Sequence, residues 1–457
     1  MTGKRGLGGL SGGQRDKLMQ SLRTGRKQAQ ENRPAGPRRL ETAPAFDFGT
    51  LPEIKQLKMQ RAAADMIGLE NPFFRPHDAT AGSTTLINGR AFDNFASYNY
   101  LGLSGHPQVL EAANAAIARY GTSVSASRVV AGERPLHREL EAALARLHGV
   151  EDAVTFVSGH ATNVSTIGHM MGTEDLILSD MLIHNSIAEG ARLSGAKRLN
   201  FAHGDLDMLE QQLASNRHLH DHVLIAVEGL YSMDGDFPDL KRLIALKNRY
   251  DAWLLVDEAH SLGVLGTHGR GIAEEFGIDP TSVEMWMGTL SKTLASCGGY
   301  IAGSSTLCEY LKATAPGFVY SVGMAPPLAA AALSSITIME RETERVSRLK
   351  DNGHHFLKVA KAAGLDTGPS AGYSVVPVIV GDSVQAAMLA NALLDDGINV
   401  LPIIFPAVAE KAARLRFFIT SEHTHDQIDR AVAKTAERLT TIRAGGSALK
   451  ALLNKAR

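Results

Sequence analysis

The chain has 457 residues, a formal net charge of −1 at pH 7, 44% hydrophobic residues and 21% charged residues. Such a length predicts a large domain with a smaller one attached, and the nearly neutral charge gives no indication of nucleic-acid binding. The two cysteines, Cys297 and Cys308, lack neighbours with metal-ligand spacing. We therefore predict no metal site and a reducing, cytoplasmic location. No apolar run reaches the length of a membrane span.

Residues 1–45 are predicted to form a flexible basic arm. Residues 1–40 contain ten Lys or Arg against two acidic residues, whereas the whole chain is almost neutral. Glycine and proline are frequent in this segment, and such a composition favours disorder over a packed core. The segment lacks the apolar stretch of a secretory signal.

Residues 46–95 are predicted to form a helix followed by a hairpin. Apolar residues mixed with charges favour a helix over residues 50–70. Residues 83–95 favour a hairpin that turns at Asn88-Gly89, a preferred two-residue turn. Arg75 lies between the two elements and has the charge to bind a substrate carboxylate, although a surface arginine is the simpler interpretation.

A predicted strand over residues 153–157 leads into Ser158-Gly159-His160, which opens the next helix. The start of a helix presents free N–H groups and the positive end of the helix dipole, so this segment is a predicted phosphate site. Two further predicted strands lead to His184 and to Ser232. For His184, a simple helix cap is the alternative to a functional role.

Two apolar runs, residues 253–256 and 283–287, predict neighbouring buried strands. The polar side chains that follow these strands are Asp257, His260, Thr289, Ser291 and Lys292. Parallel strands bind ligands at their carboxyl ends. Pyridoxal phosphate needs a lysine for a Schiff base and a carboxylate at its ring nitrogen, which Lys292 and Asp257 provide. On spacing alone, an ordinary strand pair with a surface lysine fits equally well.

The chain beyond residue 335 is predicted to begin with one long helix, residues 335–354, followed by alternating strands and helices. A late strand carries Arg416, and Thr420 follows it. A guanidinium group binds a carboxylate through two parallel hydrogen bonds. Without further information, a salt bridge within the strands is the default role of this arginine.

Several separate motifs resemble the α-oxoamine synthase family. They are Tyr231-Ser232-Met233-Asp234-Gly235-Asp236, Val256-Asp257-Glu258-Ala259-His260-Ser261-Leu262-Gly263, Gly269-Arg270-Gly271 and Gly288-Thr289-Leu290-Ser291-Lys292. The resemblance runs from about Phe92 to Leu439 and implies an α/β protein, a fold type I pyridoxal-phosphate-dependent transferase. It implies a large cofactor-binding domain over residues 96–334, with a mostly parallel seven-stranded sheet, and a smaller α+β domain over residues 335–457.

The activity that this resemblance implies is the decarboxylative condensation of an amino acid with an acyl thioester to an α-amino ketone. Coenzyme A or an acyl carrier protein would deliver the acyl group. Lys292 would hold the cofactor and act as the base, Asp257 would keep the ring nitrogen protonated, and His184 would stack on the ring. His184 or His260 would polarise the thioester carbonyl.

The resemblance also implies roles for residues farther from the lysine. Gly159 and His160 would bind the cofactor phosphate, together with the hydroxyls of Thr289 and Ser291, and Ser232 would bind the phenolic oxygen. Ser321 would reach the phosphate of a neighbouring subunit, which implies a homodimer with shared active sites.

Substrate binding is expected from a second group of residues. Arg416 would hold the amino-acid carboxylate, and Thr420 and Arg75 are weaker substrate candidates. Serine palmitoyltransferase, 8-amino-7-oxononanoate synthase and glycine C-acetyltransferase activities all remain open. Tyr98-Asn99-Tyr100 and Phe405-Pro406-Ala407 favour a long-chain or carrier-linked acyl donor, as in serine palmitoyltransferase.

Two rival functions are an aminotransferase of the same fold and, ranked last, a non-catalytic cofactor-binding regulator. The basic arm has three interpretations. It is a solvated tail, a peripheral contact with an anionic membrane, or a docking arm for an acidic acyl carrier protein.

Overall fold

A computed structural model describes residues 47–66, 69–409 and 411–455 of the chain. The chain divides into two units, the first ending at Ile67 and the second beginning at Gly68. In the first unit, helix α1 (Pro52–Met66) has mostly exposed side chains. The predicted basic arm, residues 1–45, lies outside the described residues.

The second unit begins with the predicted hairpin, which the structure confirms. Strands β1 (Thr84–Ile87) and β2 (Arg90–Asn94) pair antiparallel. The turn residues Asn88 and Gly89 have φ angles of 51° and 72°. Positive φ at both positions is what a type I′ turn requires, and Asn-Gly adopts it at little energetic cost.

A seven-stranded sheet forms the centre of the large domain. Its strands are β3 (Asp152–Phe156), β4 (Leu176–Asp180), β5 (Lys197–Phe201), β6 (Val223–Glu228), β7 (Trp253–Asp257), β8 (Met285–Thr289) and β9 (Gly299–Gly303). Their spatial order is β3-β9-β8-β7-β6-β4-β5. β9 is antiparallel to β3 and β8, and the other neighbours are parallel. The predicted mostly parallel sheet is therefore confirmed.

Helices surround this sheet. They are α2 (Pro107–Tyr120), α3 (Pro135–His148), α4 (Gly159–Met170), α5 (Asn185–Ser194), α6 (Leu206–Asn216), α7 (Leu240–Arg249), α8 (Ile272–Phe276), α9 (Ser305–Thr314), α10 (Pro316–Val319) and α11 (Pro326–Arg341). All six residues of β6 and the last four of β7 are buried. Burial of each large aliphatic side chain contributes about 1.5–3 kcal/mol, and strands buried on both faces are typical of parallel sheets.

The smaller C-terminal domain contains a three-stranded antiparallel sheet of order β10-β13-β12. Its elements, in chain order, are α12 (Glu344–Ala362), β10 (Val375–Gly381), α13 (Ser383–Asp395), β11 (Ile398–Asn399), β12 (Leu401–Ile403), β13 (Ala413–Phe418) and α14 (His425–Lys455). The short strand β11 belongs to another sheet, because it pairs parallel with β2 of the N-terminal hairpin.

The prediction of a single helix over residues 335–354 is wrong. Helix α11 ends at Arg341, and α12 begins at Glu344. Glu342 leaves the helical region with φ −109° and ψ 61°. Its carboxylate contacts the guanidinium groups of Arg341 and Arg345, which stabilises the break. The predicted start of the smaller domain, at residue 335, falls inside α11, and this domain boundary stays a prediction.

Among the helices that the structure describes, none combines the length and apolarity needed to span a bilayer. Within the same ranges of residues, no three His, Cys, Asp or Glu side chains are grouped so that they could hold a metal ion.

Candidate active site

A cavity of about 200 Å³ opens at the carboxyl ends of β6, β7 and β8. Its lining includes the following residues that the sequence predicted: Gly159, His160, His184, Asp257, His260, Thr289, Ser291 and Lys292. A larger cavity of about 430 Å³ lies at the other end of these strands, beside Trp253 and Met285. The smaller cavity is the candidate site, because it contains the lysine, the carboxylate and the imidazoles.

Asp257 is the last residue of β7 and is almost fully buried. Its Oδ2 accepts a hydrogen bond of 2.9 Å from Asn163 Nδ2, and its Oδ1 accepts one of 2.9 Å from the Ala259 N–H. Both oxygens therefore act as acceptors, as those of an ionised carboxylate do. Asp257 is thus held rigidly as the buried acid at the base of the cavity.

Lys292 lies in the turn between β8 and β9, and its side chain is partly exposed. Removal of its ammonium group from bulk water lowers the pKa of Lys292 to about 8, although Asp257 and Glu228 act in the opposite direction. Its Nζ lies 5.6 Å from the ring centroid of Tyr98. Near neutral pH a useful fraction of this amine is unprotonated and can act as a nucleophile or a base.

His260 is buried between aromatic side chains. Its Nδ1 lies 2.7 Å from the hydroxyl of Tyr100, and its ring is stacked near Phe418. Burial, followed by the charges of Lys292 and Arg416, lowers the pKa of His260 well below its ordinary value. His260 is consequently a neutral imidazole at neutral pH.

A chain of hydrogen bonds joins His184 to Asp257. Asn163 Nδ2 donates to Asp257 and also to Ser186 Oγ at 2.9 Å. His184 Nδ1 accepts the Ser186 N–H at 3.3 Å, so it carries no proton and also accepts the Ser186 O–H at 2.7 Å. Burial lowers the pKa of His184, which agrees with an imidazole whose Nδ1 is an acceptor. One network therefore orients both the histidine and the acid.

The start of α4 provides an anion site beside the lysine. Ser158 Oγ caps this helix by accepting the Ala161 N–H, which leaves earlier N–H groups of the helix available. A Cβ atom on Gly159 would lie 2.8 Å from Thr289 Oγ1, so only glycine allows this close approach. Ser291 and His160 lie beside it and are exposed.

These residues fit pyridoxal phosphate. The set offers an amine, a buried carboxylate and a helix N-terminus next to hydroxyl groups, which match its aldehyde, ring nitrogen and phosphate. Two buried atoms of the lining, Asn163 Oδ1 and Glu228 Oε1, have no hydrogen-bond partner among the described residues. Buried polar atoms are rarely left unpaired, so a polar ligand is expected between them.

Ser232 and Arg416 lie together next to this cavity and outside its lining. Arg416 Nη1 donates to the Ser232 carbonyl oxygen at 2.9 Å, and its guanidinium lies 4.6 Å from the Phe418 ring centroid. Its Nε is buried and has no partner among the described residues. The Nε–H of Arg416 is therefore available to donate a hydrogen bond to a ligand.

The structure does not bring the other three predicted residues into the cavity. Thr420 is fully buried, and its hydroxyl lies 3.2 Å from His423 Nδ1. Arg75 donates to Asn391 Oδ1 at 2.6 Å. Ser321 lies beside a separate small cavity next to Arg128.

Sequence reasoning did not assign three lining residues to the site: Asn163, Ser186 and Glu228. It named Tyr98 and Tyr100 only in a motif that favours a long-chain or carrier-linked acyl donor. Two signals were available. Glu228 ends its strand as Asp257 does, and Asn163 lies four residues after Gly159, which places it on the same helix face. Tyr98 packs edge-on against Phe418, with ring centroids 4.7 Å apart.

The chain is similar to known proteins in sequence and in fold. Residues 92–434 match the family described as aminotransferase class I and II. The 8-amino-7-oxononanoate synthase of Alkaliphilus metalliredigens (strain QYMF) is 39% identical over 347 residues, which are 76% of this chain and 87% of that protein. The chain belongs to the α-oxoamine synthases, within the aminotransferase class I and II family.

Two further relatives bear the name serine palmitoyltransferase. That of Sphingobacterium spiritivorum is 37% identical over 362 residues, which are 79% of this chain and 90% of that protein. The solved structure of the Sphingomonas wittichii protein has a TM-score of 0.82 and 28% identity, and the match covers 87% of this chain and all of that one. This α-oxoamine synthase is thus a fold type I, pyridoxal-phosphate-dependent acyltransferase.

Proposed function

We propose that the chain condenses an amino acid with a long-chain or carrier-linked acyl thioester, as a serine palmitoyltransferase does. Carbon dioxide is lost, and the product is an α-amino ketone. The observation that carries this proposal is the aromatic wall beside Lys292. Tyr98 is 40% exposed, lies next to the lysine and packs against Phe418, and such a wall suits an apolar acyl chain better than a small polar one.

The reaction needs a group that accepts electrons when a bond at the amino acid Cα breaks, and pyridoxal phosphate supplies it. Lys292 Nζ takes the α-proton, since its lowered pKa leaves part of the amine neutral. Asp257 would accept the hydrogen bond of the ring N–H and so keep that proton in place. Gly159 and His160, with Thr289 and Ser291, hold the phosphate.

Two neutral imidazoles are available to the thioester carbonyl. We assign Tyr100 as the donor to Nδ1 of His260, which places the proton of that ring on Nε2. His184 is held in the same way by Ser186 at its Nδ1. Each ring therefore presents an Nε2–H donor that stabilises negative charge on a carbonyl oxygen.

The amino-acid carboxylate binds to Arg416 in this proposal. The guanidinium is fixed by the Ser232 carbonyl and by the Phe418 ring, while its buried Nε–H lacks a partner among the described residues. A ligand carboxylate would complete this donor set. The hydroxyl of Ser232 is assigned to the phenolic oxygen of the cofactor. Thr420 and Arg75 remain weaker substrate candidates.

The protein is proposed to act as a homodimer with shared active sites. Tyr320 is 85% exposed, and Val130 is 82% exposed on the nearby segment that Arg128 anchors. Exposed apolar side chains of this kind suit a contact with a second copy of the chain. Ser321 lies between Tyr320 and Val322 and would reach the phosphate of the partner's site. A cytoplasmic location, with at most peripheral membrane contact, stays part of the proposal.

A second candidate function is 8-amino-7-oxononanoate synthesis, which the 39% identical relative favours. The carbon skeleton of that product requires alanine and a seven-carbon dicarboxylic acyl thioester. Glycine C-acetyltransferase activity would instead require glycine and an acetyl thioester. An aminotransferase would need only a keto acid and no thioester.

A donor panel tests the proposal. Purified protein is given L-serine, glycine or L-alanine with palmitoyl, heptanedioyl or acetyl thioesters of coenzyme A and of an acyl carrier protein, and the product is read by mass spectrometry. We expect the amino ketone of a long-chain donor. Product from heptanedioyl and alanine alone would establish the second candidate, and amino-group transfer to a keto acid without thioester would establish an aminotransferase.

A further inference from the structure

Glu228 is a second acid at the base of the cavity. It ends β6, directly opposite Asp257 in the ladder between β6 and β7. It is only 2% exposed and lines the cavity together with Lys292 and His184. Two carboxyl groups on neighbouring strand ends thus border the same small space.

The two acids differ in their hydrogen bonds. Both oxygens of Asp257 accept N–H groups, from Asn163 and Ala259. Oε2 of Glu228 accepts the Ser232 N–H at 3.0 Å, whereas Oε1 is buried and has no partner among the described residues. The His184 backbone N–H lies near this carboxyl but makes no hydrogen bond of good geometry to Oε1. An ionised Glu228 would therefore bury a poorly satisfied charged oxygen, which is unfavourable.

The charges around Glu228 favour its neutral form. The titratable groups that face it are Asp257 on β7, Lys292 after β8, Tyr231 in the following loop and His184 before α5. Burial and then the negative charge of Asp257 raise the pKa of Glu228 to about 8, although the Ser232 N–H, the charge of Lys292 and the His184 backbone N–H act in the opposite direction. Two neighbouring carboxyl groups whose environments differ in this way divide into one base and one acid.

We propose that Glu228 is a neutral hydrogen-bond donor of this site, and that its Oε1–H binds an oxygen of the ligand. The acceptor is an oxygen of pyridoxal phosphate or of the amino-acid carboxylate. The inference rests on the cofactor and does not depend on the acyl donor, so failure of the donor panel leaves it unaffected.

The first test uses the pH dependence of protein stability to determine whether Glu228 is neutral or ionised in the fold. A glutamic acid that is neutral in the fold and ionised in the unfolded chain destabilises the protein as pH rises from its ordinary pKa toward its raised one. Glu228→Gln removes this effect. We expect the melting temperature of the cofactor-loaded variant, relative to wild type, to increase between pH 5 and pH 8. A difference that stays constant over this range would mean that Glu228 is ionised in the fold.

The second test uses ligand affinities to detect the hydrogen bond that Glu228 donates. The dissociation constants of pyridoxal phosphate and of L-serine, glycine or L-alanine are measured by the visible absorbance of the cofactor. Glu228→Gln keeps a neutral donor and is expected to bind both within about threefold of wild type. Glu228→Leu has no donor and is expected to bind either the cofactor or the amino acid about tenfold more weakly than wild type. The ligand that is weakened identifies the acceptor.

Glu258 offers a matched control. It is also fully buried and next to Asp257, but its oxygens accept the Ile272 N–H and the Ser261 hydroxyl, and it is not part of the cavity lining. Glu258→Gln should alter the melting temperature and leave cofactor affinity unchanged. Equal losses of affinity in Glu228→Gln and Glu228→Leu would overturn the proposal, as would unchanged affinities in a folded Glu228→Leu.

Discussion

The hydroxyl of Tyr100 lies 2.7 Å from Nδ1 of His260, although 160 residues separate them in the chain. Both side chains are buried, and burial raises the pKa of the Tyr100 hydroxyl above its ordinary value. We assign the tyrosine as the donor and the imidazole as the acceptor of this hydrogen bond. With this assignment, the proton of the neutral His260 ring is on Nε2.

Tyr100→Phe should lower kcat by about tenfold and leave the dissociation constant of pyridoxal phosphate within about twofold of wild type. The variant leaves Nδ1 without a partner, which costs about 1–3 kcal/mol and removes the preference for one tautomer. Steady-state kinetics and cofactor titration check this. Tyr120→Phe, at a tyrosine outside the cavity, is the control and should change neither value.

Lys292→Ala should lower turnover by at least about a thousandfold, since the variant lacks both the amine that holds the cofactor and the base that moves the α-proton. In wild type, borohydride reduction followed by peptide mass spectrometry should find the cofactor attached to Lys292. Full turnover in Lys292→Ala would refute the assignment.

Arg416→Ala should weaken binding of the amino acid by about 2–4 kcal/mol and change cofactor affinity far less. Arg416→Lys keeps the charge without the planar pair of donors and should recover only part of the loss. Titration of the cofactor absorbance with amino acid measures both variants. Equal losses of amino-acid and cofactor affinity would instead make this arginine a support of the Ser232 loop.

His203→Gln should destabilise the protein more at pH 6 than at pH 10. The ring of His203 bridges Asp180 at 3.0 Å and Asp236 at 2.8 Å. Burial lowers the pKa of His203, but hydrogen bonds and charges of the two aspartates outweigh it and raise the pKa to about 10. A raised pKa stabilises the fold fully below the unfolded value, and this contribution disappears as pH rises through about 10.

Melting temperatures at the two pH values measure the effect. His222→Gln is the control, because His222 contacts a single acid, Asp175, and its side chain is 54% exposed. A loss for His203→Gln that is the same at both pH values would show that the bridge is not ionic.

Mixing inactive Lys292→Ala subunits with inactive Ser321→Trp subunits should restore up to about one quarter of wild-type activity, because random pairing gives half heterodimers with one intact site each. Sedimentation of the wild type gives the oligomeric state. A fully active monomer would contradict the shared site.

The parts of the site that the sequence predicted are those set by strand ends. Asp257 and Lys292 follow apolar runs, and neighbouring parallel strands bring their ends together wherever the rest of the chain lies. The contact of Tyr100 with His260 and the place of Asn163 in the site were not predicted, because they depend on side-chain directions and on contacts between distant segments. The break at Glu342 was missed for a related reason: the apolar pattern continues through it, and the ion pairs that stabilise it leave no periodic signal.

The pairing of β2 with β11 has a consequence for synthesis of the protein. Asn94 and Asn399 share a side-chain hydrogen bond across 305 residues, and Asp93 contacts Arg430 of α14. On the ribosome, the hairpin emerges long before the segments that cover its edge. A nascent chain therefore carries an open strand edge until β11 is made, 305 residues after Asn94, and such edges promote aggregation.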